Sequence, residues 1–100
     1  MRVTNMVSNK GNKIANQFII EDKVNEMSGN SIEYFQSYET IIAKRDCFKA
    51  GIPKRQVWLD KDKWDYSKTT GKYRNIFLGE NKAETLKKIK SGEYVLTNLN

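Results

Sequence analysis

The sequence predicts a small α+β domain: an antiparallel sheet of about four or five strands with two helices packed on one face. Three observations predict it. β-Branched and aromatic clusters recur through the first sixty residues, two segments with capping signatures follow between Ser67 and Gly92, and an apolar trio, Tyr94-Val95-Leu96, comes after them. With 100 residues the chain has room for one hydrophobic core, so a single domain over 1–100 is expected.

The elements follow in order. Met1 to Lys13 is polar, with only Val3, Met6 and Val7 to bury, and reads as either a frayed lead-in or a short edge strand. Ile14 to Val24 holds Phe18-Ile19-Ile20 and reads as a strand, ended by a turn around Ser28-Gly29-Asn30. Ile32 to Ser37 and Ile41 to Arg45 form a hairpin. Asp46 to Arg55 contains Gly51 and Pro53, so a loop is expected before a short strand at Val57-Trp58-Leu59. Ser67 is placed to cap a helix over Lys68 to Leu78 that exits through Gly79. Asn81 with Glu84 resembles a capping box for a second helix ending at Ser91-Gly92. The apolar spacing assigns Ile76, Phe77, Leu86 and Ile89 to the core, with Glu84 able to pair with Lys88 at i,i+4.

Composition excludes several kinds of chemistry. The chain has no histidine, which removes Ser-His-Asp hydrolysis, histidine-ligated zinc and the ordinary general base near neutral pH. Its one cysteine, Cys47, can form no internal disulfide and reads as a small, partly buried apolar residue. Asp60, Asp62 and Asp65 lack the glycine and glutamate of a calcium loop and read as a solvated charged turn. In Ser67-Lys68-Thr69-Thr70-Gly71-Lys72 the phosphate-loop pattern fails, because Tyr66 stands where its first glycine belongs and Tyr73 where its hydroxyl ligand belongs. No enzyme activity, metal or cofactor is expected. No run approaches the roughly 18 apolar residues of a membrane helix, and the polar first residues offer no signal core, so residence in the cytoplasm is expected.

Charge points to a partner, with simple solubility as the competing explanation. Net charge is +6, and the surplus lies between Lys54 and Lys90, with 11 basic against 5 acidic side chains. A surface of that sign favours phosphates or an acidic protein. Lys68, Lys72, Arg74, Lys87 and Lys88 are the candidate contacts to nucleic acid or a partner, with Trp58, Trp64, Tyr66 and Tyr73 near enough in sequence to stack on bases or to fill the core. Ser67, Thr69 and Thr70 mark a weaker anion site at a helix start, for which ordinary capping is the competing explanation.

At residues 35–43, Phe-Gln-Ser-Tyr-Glu-Thr-Ile-Ile-Ala, and 64–78, Trp-Asp-Tyr-Ser-Lys-Thr-Thr-Gly-Lys-Tyr-Arg-Asn-Ile-Phe-Leu, the chain resembles a family of short uncharacterised proteins from bacteriophages and mobile elements. Lys88 to Tyr94 and Asn98 to Asn100 fit the same pattern. The resemblance implies a viral origin, expression in the cytoplasm of an infected bacterium, and an accessory role. By analogy, such a protein binds and inhibits a host or defence factor, for example as an anti-CRISPR-type inhibitor directed at a nucleoprotein. The competing expectation is a virion or assembly component that makes only protein contacts.

Overall fold

A computed structural model describes residues 1–25, 30–47 and 53–100, with side chains described throughout these except at 23–25 and 53–55. The α+β class holds. Six strands, β1 (Arg2–Val7), β2 (Lys13–Asn25), β3 (Asn30–Ser37), β4 (Thr40–Cys47), β5 (Pro53–Asp60) and β6 (Tyr94–Thr97), lie side by side in chain order. Helices α1 (Lys68–Leu78) and α2 (Lys82–Ser91) come between β5 and β6.

Two features of the sheet differ from the sequence reading. The count is six, above the four or five expected, because Arg2–Val7 takes the edge-strand alternative read for the first residues, and residues 8–12 close its hairpin through Gly11 at φ 82°. A polar edge strand has one neighbour and little to bury, so its sequence carries a weak signal. The sheet is also mixed. β1 to β5 pair antiparallel, but β6 returns parallel to β5, with Val57 opposite Tyr94 and Leu59 opposite Leu96. A helical pair between two neighbouring strands is the kind of crossover that parallel pairing requires. The turn read at Ser28-Gly29 and the loop read at Gly51 lie outside the described residues, although Asn30, Asp46, Cys47 and Pro53 already belong to strands. Pro53 begins β5, where a missing amide is tolerated.

The helices cover one face of the sheet. Phe35 of β3 stacks on Phe77 of α1 with ring centroids 5.9 Å apart, and Met6, Ile42, Ala43, Val57, Leu59 and Tyr94 complete the buried cluster. Two adjacent residues of β4 are buried because the register slips there: Phe35 opposes Ala43 and Gln36 opposes Ile41, so Ile42 is a bulge residue turned into the core.

On the helices, Phe77 is buried and Ile89 packs against the core as expected, but Ile76 is 58% exposed and Leu86 36% exposed. The faces they were assigned to are wrong. α1 buries Thr70, Gly71, Arg74 and Phe77, and α2 buries Thr85, so each helix turns a partly polar, hydrogen-bonded stripe inward.

Cys47 is fully buried, where partial burial was expected, and its Sγ donates to Glu33 Oε1 at 3.0 Å. Burial, reinforced by the Glu33 acceptor, pushes the thiol up to about 12. Modification by a disulfide reagent at pH 8 should therefore run at least about a hundredfold slower than in guanidinium-unfolded chain. Equal rates in the two states would show that the thiol is reached from the native surface.

Candidate nucleic-acid interface

The segment between β5 and α1 builds the site. Asp60 at the end of β5 is buried, its carboxylate accepting from the backbone amides of Asp62, Lys63 and Leu99 and from the Asn100 side chain. Burial pushes this carboxyl up, yet the four donors outweigh it and hold it below the usual range. The expectation of a solvated acidic turn is corrected at this residue. Asp60 pins the 61–66 turn on one side and the Leu99-Asn100 segment on the other.

Ser67 then caps α1 from an extended conformation, its hydroxyl accepting from Thr70 N at 3.1 Å. Thr70 is buried, with Oγ1 3.0 Å from Ser37 Oγ on β3. Of the proposed anion ligands, Ser67 is thus engaged in capping and Thr70 in holding helix to sheet, leaving Thr69 exposed.

A cleft of about 640 Å³ opens at this helix start, lined by Tyr66, Lys68, Lys72 and, from α2, Lys82, with Asp65, Asn75 and Arg74 beneath. Lys68 and Lys72 are exposed on one side of α1, four residues apart. Tyr66 is 45% exposed at the rim, and Lys63 stands 5.4 Å from its ring centroid. Trp64 and Tyr73 instead pack against the core.

Arg74 is 1% exposed. Its Nη1 donates to Trp64 O at 2.7 Å and to Asp65 Oδ1 at 3.1 Å, its Nη2 donates to Asn75 Oδ1 at 3.0 Å, and the guanidinium lies 5.1 Å from the Trp64 ring. Asp65 also takes the Lys82 ammonium at 2.6 Å. Burial pushes the Asp65 carboxyl up, but Lys82 and Arg74 hold it below the usual carboxylate range. One carboxylate is therefore shared by two cations, and the cleft keeps a positive excess.

The five predicted contacts separate into two groups. Lys68 and Lys72 come together at the cleft, and Lys87 is exposed on α2 outside its lining. Arg74 and Lys88 are engaged within the fold. Lys88 Nζ bonds Glu80 Oε1 at 2.7 Å, so its partner is Glu80 and not Glu84, which serves the capping box with Asn81. Lys82 is not among the predicted contacts, because its partner Asp65 lies 17 positions away, a distance no helical spacing relates.

Comparison with known families places the chain. A family of unknown function, DUF8033, matches residues 1–93. The chain is a DUF8033 protein. The match spans the cleft, both helices and five of the six strands. No curated protein and no solved structure matches this DUF8033 chain.

Proposed function

We propose that the chain is a non-enzymatic binding module whose target is a nucleic acid or a nucleoprotein, held at the cleft before α1. The observation behind this reading is the pairing of an exposed Tyr66 with Lys68, Lys72 and Lys82 around a cleft whose one carboxylate is already neutralised. Ammonium groups contact phosphates and release their counterions, while the tyrosine face supplies a stacking surface tolerant of sequence. A role as a phage accessory protein against a host or defence factor, of the anti-CRISPR kind, is consistent with the quoted motifs and with the basic sign. A basic module would engage such a factor through its bound RNA or DNA. The non-enzymatic reading is supported by the missing histidine, the buried thiol of Cys47 and the commitment of Asp60, Asp65 and Glu80 to structural hydrogen bonds.

Binding of a labelled single-stranded oligonucleotide, measured across salt, tests this. With about three phosphate contacts, affinity should fall roughly fifteenfold between 50 and 200 mM salt. The Lys68→Ala, Lys72→Ala chain should lose more than one unit of the logarithmic salt slope and keep its melting temperature. Affinity indifferent to salt and to both lysines, with nuclease-resistant capture of a host protein, would favour the protein-only reading instead.

A further inference from the structure

The face of the sheet turned away from both helices holds one unbroken cross-strand row. Val3, Ile20, Tyr34, Lys44, Trp58 and Val95 are successive register partners across all six strands. None belongs to the buried cluster or packs against it, and the outermost two are 59% and 41% exposed. Lys44, the row's only charge, places its ammonium 4.8 Å from the Trp58 ring centroid. Val3 and Val95 are exposed and the four residues between them partly so, which leaves an apolar row open to solvent across the whole sheet.

From this row we infer that the chain forms a two-fold symmetric homodimer, sheet face against sheet face. The row complements its own reverse. A two-fold axis along the strands between β3 and β4 sets Val3 against Val95, Ile20 against Trp58, and Tyr34 against Lys44 of the second copy. Every position then meets an apolar partner or, at the centre, a cation meets an aromatic ring. The area suffices. Four strands of at least eight residues, with β1 of six and β6 of four, at about 4.8 Å spacing and about 3.3 Å rise give a face of roughly 650 Å², hence roughly 1,300 Å² for two copies covering it in full, near the lower limit of a stable interface. Asp22 and Asp46, flanking Ile32 one row from the apolar seam on the same side, would oppose the phosphates of a single-stranded nucleic acid, whereas in the dimer they lie beside the seam, where their carboxylates stay hydrated. The exposed lysines of α1 and α2 lie on the helical side, so dimerisation leaves both clefts open and the inference stands independently of the nucleic-acid reading.

Sedimentation velocity of the full chain, from about 5 to 500 µM, decides the matter. The mass should rise from 11.6 kDa to twice that value. The Val3→Asp, Val95→Asp chain, altered only at exposed positions, should associate at least about tenfold more weakly with unchanged circular dichroism and melting temperature. Tyr34→Lys should give monomers by opposing Lys44, and adding Lys44→Glu should restore the dimer. A monomeric mass at every concentration would overturn the inference, as would association indifferent to the Val3 and Val95 changes. So would a persistently monomeric chain that loses an oligonucleotide or a foreign protein on Trp58→Ala, since the face would then serve another partner.

Discussion

An Arg74→Ala chain is expected to lose about 3–4 kcal/mol of stability, as much as truncating a core side chain would cost. The side chain is 1% exposed and ties the 61–66 turn, through Trp64 O and Asp65, to its own helix, where it also bonds Asn75. Truncation leaves a buried carbonyl without its donor and opens a cavity beside the Trp64 ring. At about 4–8 °C per kcal/mol for a domain near this size, the melting temperature should fall by roughly 12–30 °C. Arg74→Lys should recover only part of this, because an ammonium cannot reach three acceptors in the plane of a guanidinium. If Arg74 were a phosphate contact instead, Arg74→Ala would weaken oligonucleotide binding while melting normally. Urea and thermal unfolding beside a binding titration separate the two, and a loss below about 1 kcal/mol would remove the structural role.

Arg74 also shows where the sequence was legible and where it was not. Helix ends are local, and Ser67, Gly79, Asn81 and Gly92 sit at the caps that their chemistry predicts. Helix faces are not local. Apolar periodicity pointed to Ile76 and Leu86, yet the fold turns Thr70, Arg74 and Thr85 inward because Ser37, Trp64 O and Glu80 await them there. The candidate site shows the same division. Lysine and arginine have one appearance in a sequence whether they face water or close an ion pair, and only the approach of Asp65 and Glu80 sets Arg74 and Lys88 apart from Lys68 and Lys72. The direction of β6 was equally hidden, since four residues read alike in parallel and antiparallel pairing.

Glu80 follows the C-cap of α1, and its replacement by glutamine is expected to change stability at both ends of the pH scale. Its side chain is 4% exposed and accepts from Thr85 Oγ1 at 2.6 Å and from Lys88 Nζ and Tyr94 Oη at 2.7 Å each, tying α2 and β6 to the interhelical turn. Burial alone would raise the carboxyl, but these three donors hold it below its ordinary 4.5. A depressed carboxyl contributes stability that is complete above the unfolded value and is lost as pH falls through the folded one, so the native chain should weaken progressively below about pH 4.5. The alkaline end has the opposite sign. Burial and then the Glu80 acceptor push Tyr94 up to about 12 from 10.0, and the Glu80 hydrogen bond raises Lys88 above 10.5. Both groups favour folding while protonated, and that contribution fades once the unfolded tyrosine begins to ionise near pH 10. Glu80→Gln removes the charge and one strong acceptor, so the chain should lose about 2–3 kcal/mol at pH 7. It should also show a shallower decline on both limbs. Asp60→Asn provides the contrast, because among the described residues Asp60 is held by backbone amides and the Asn100 amide, none of which titrates, and the change should flatten the acid limb alone. Urea midpoints from pH 2 to 11 distinguish the two variants, and an alkaline limb in Glu80→Gln as steep as the native one would show that Tyr94 and Lys88 do not depend on this carboxylate.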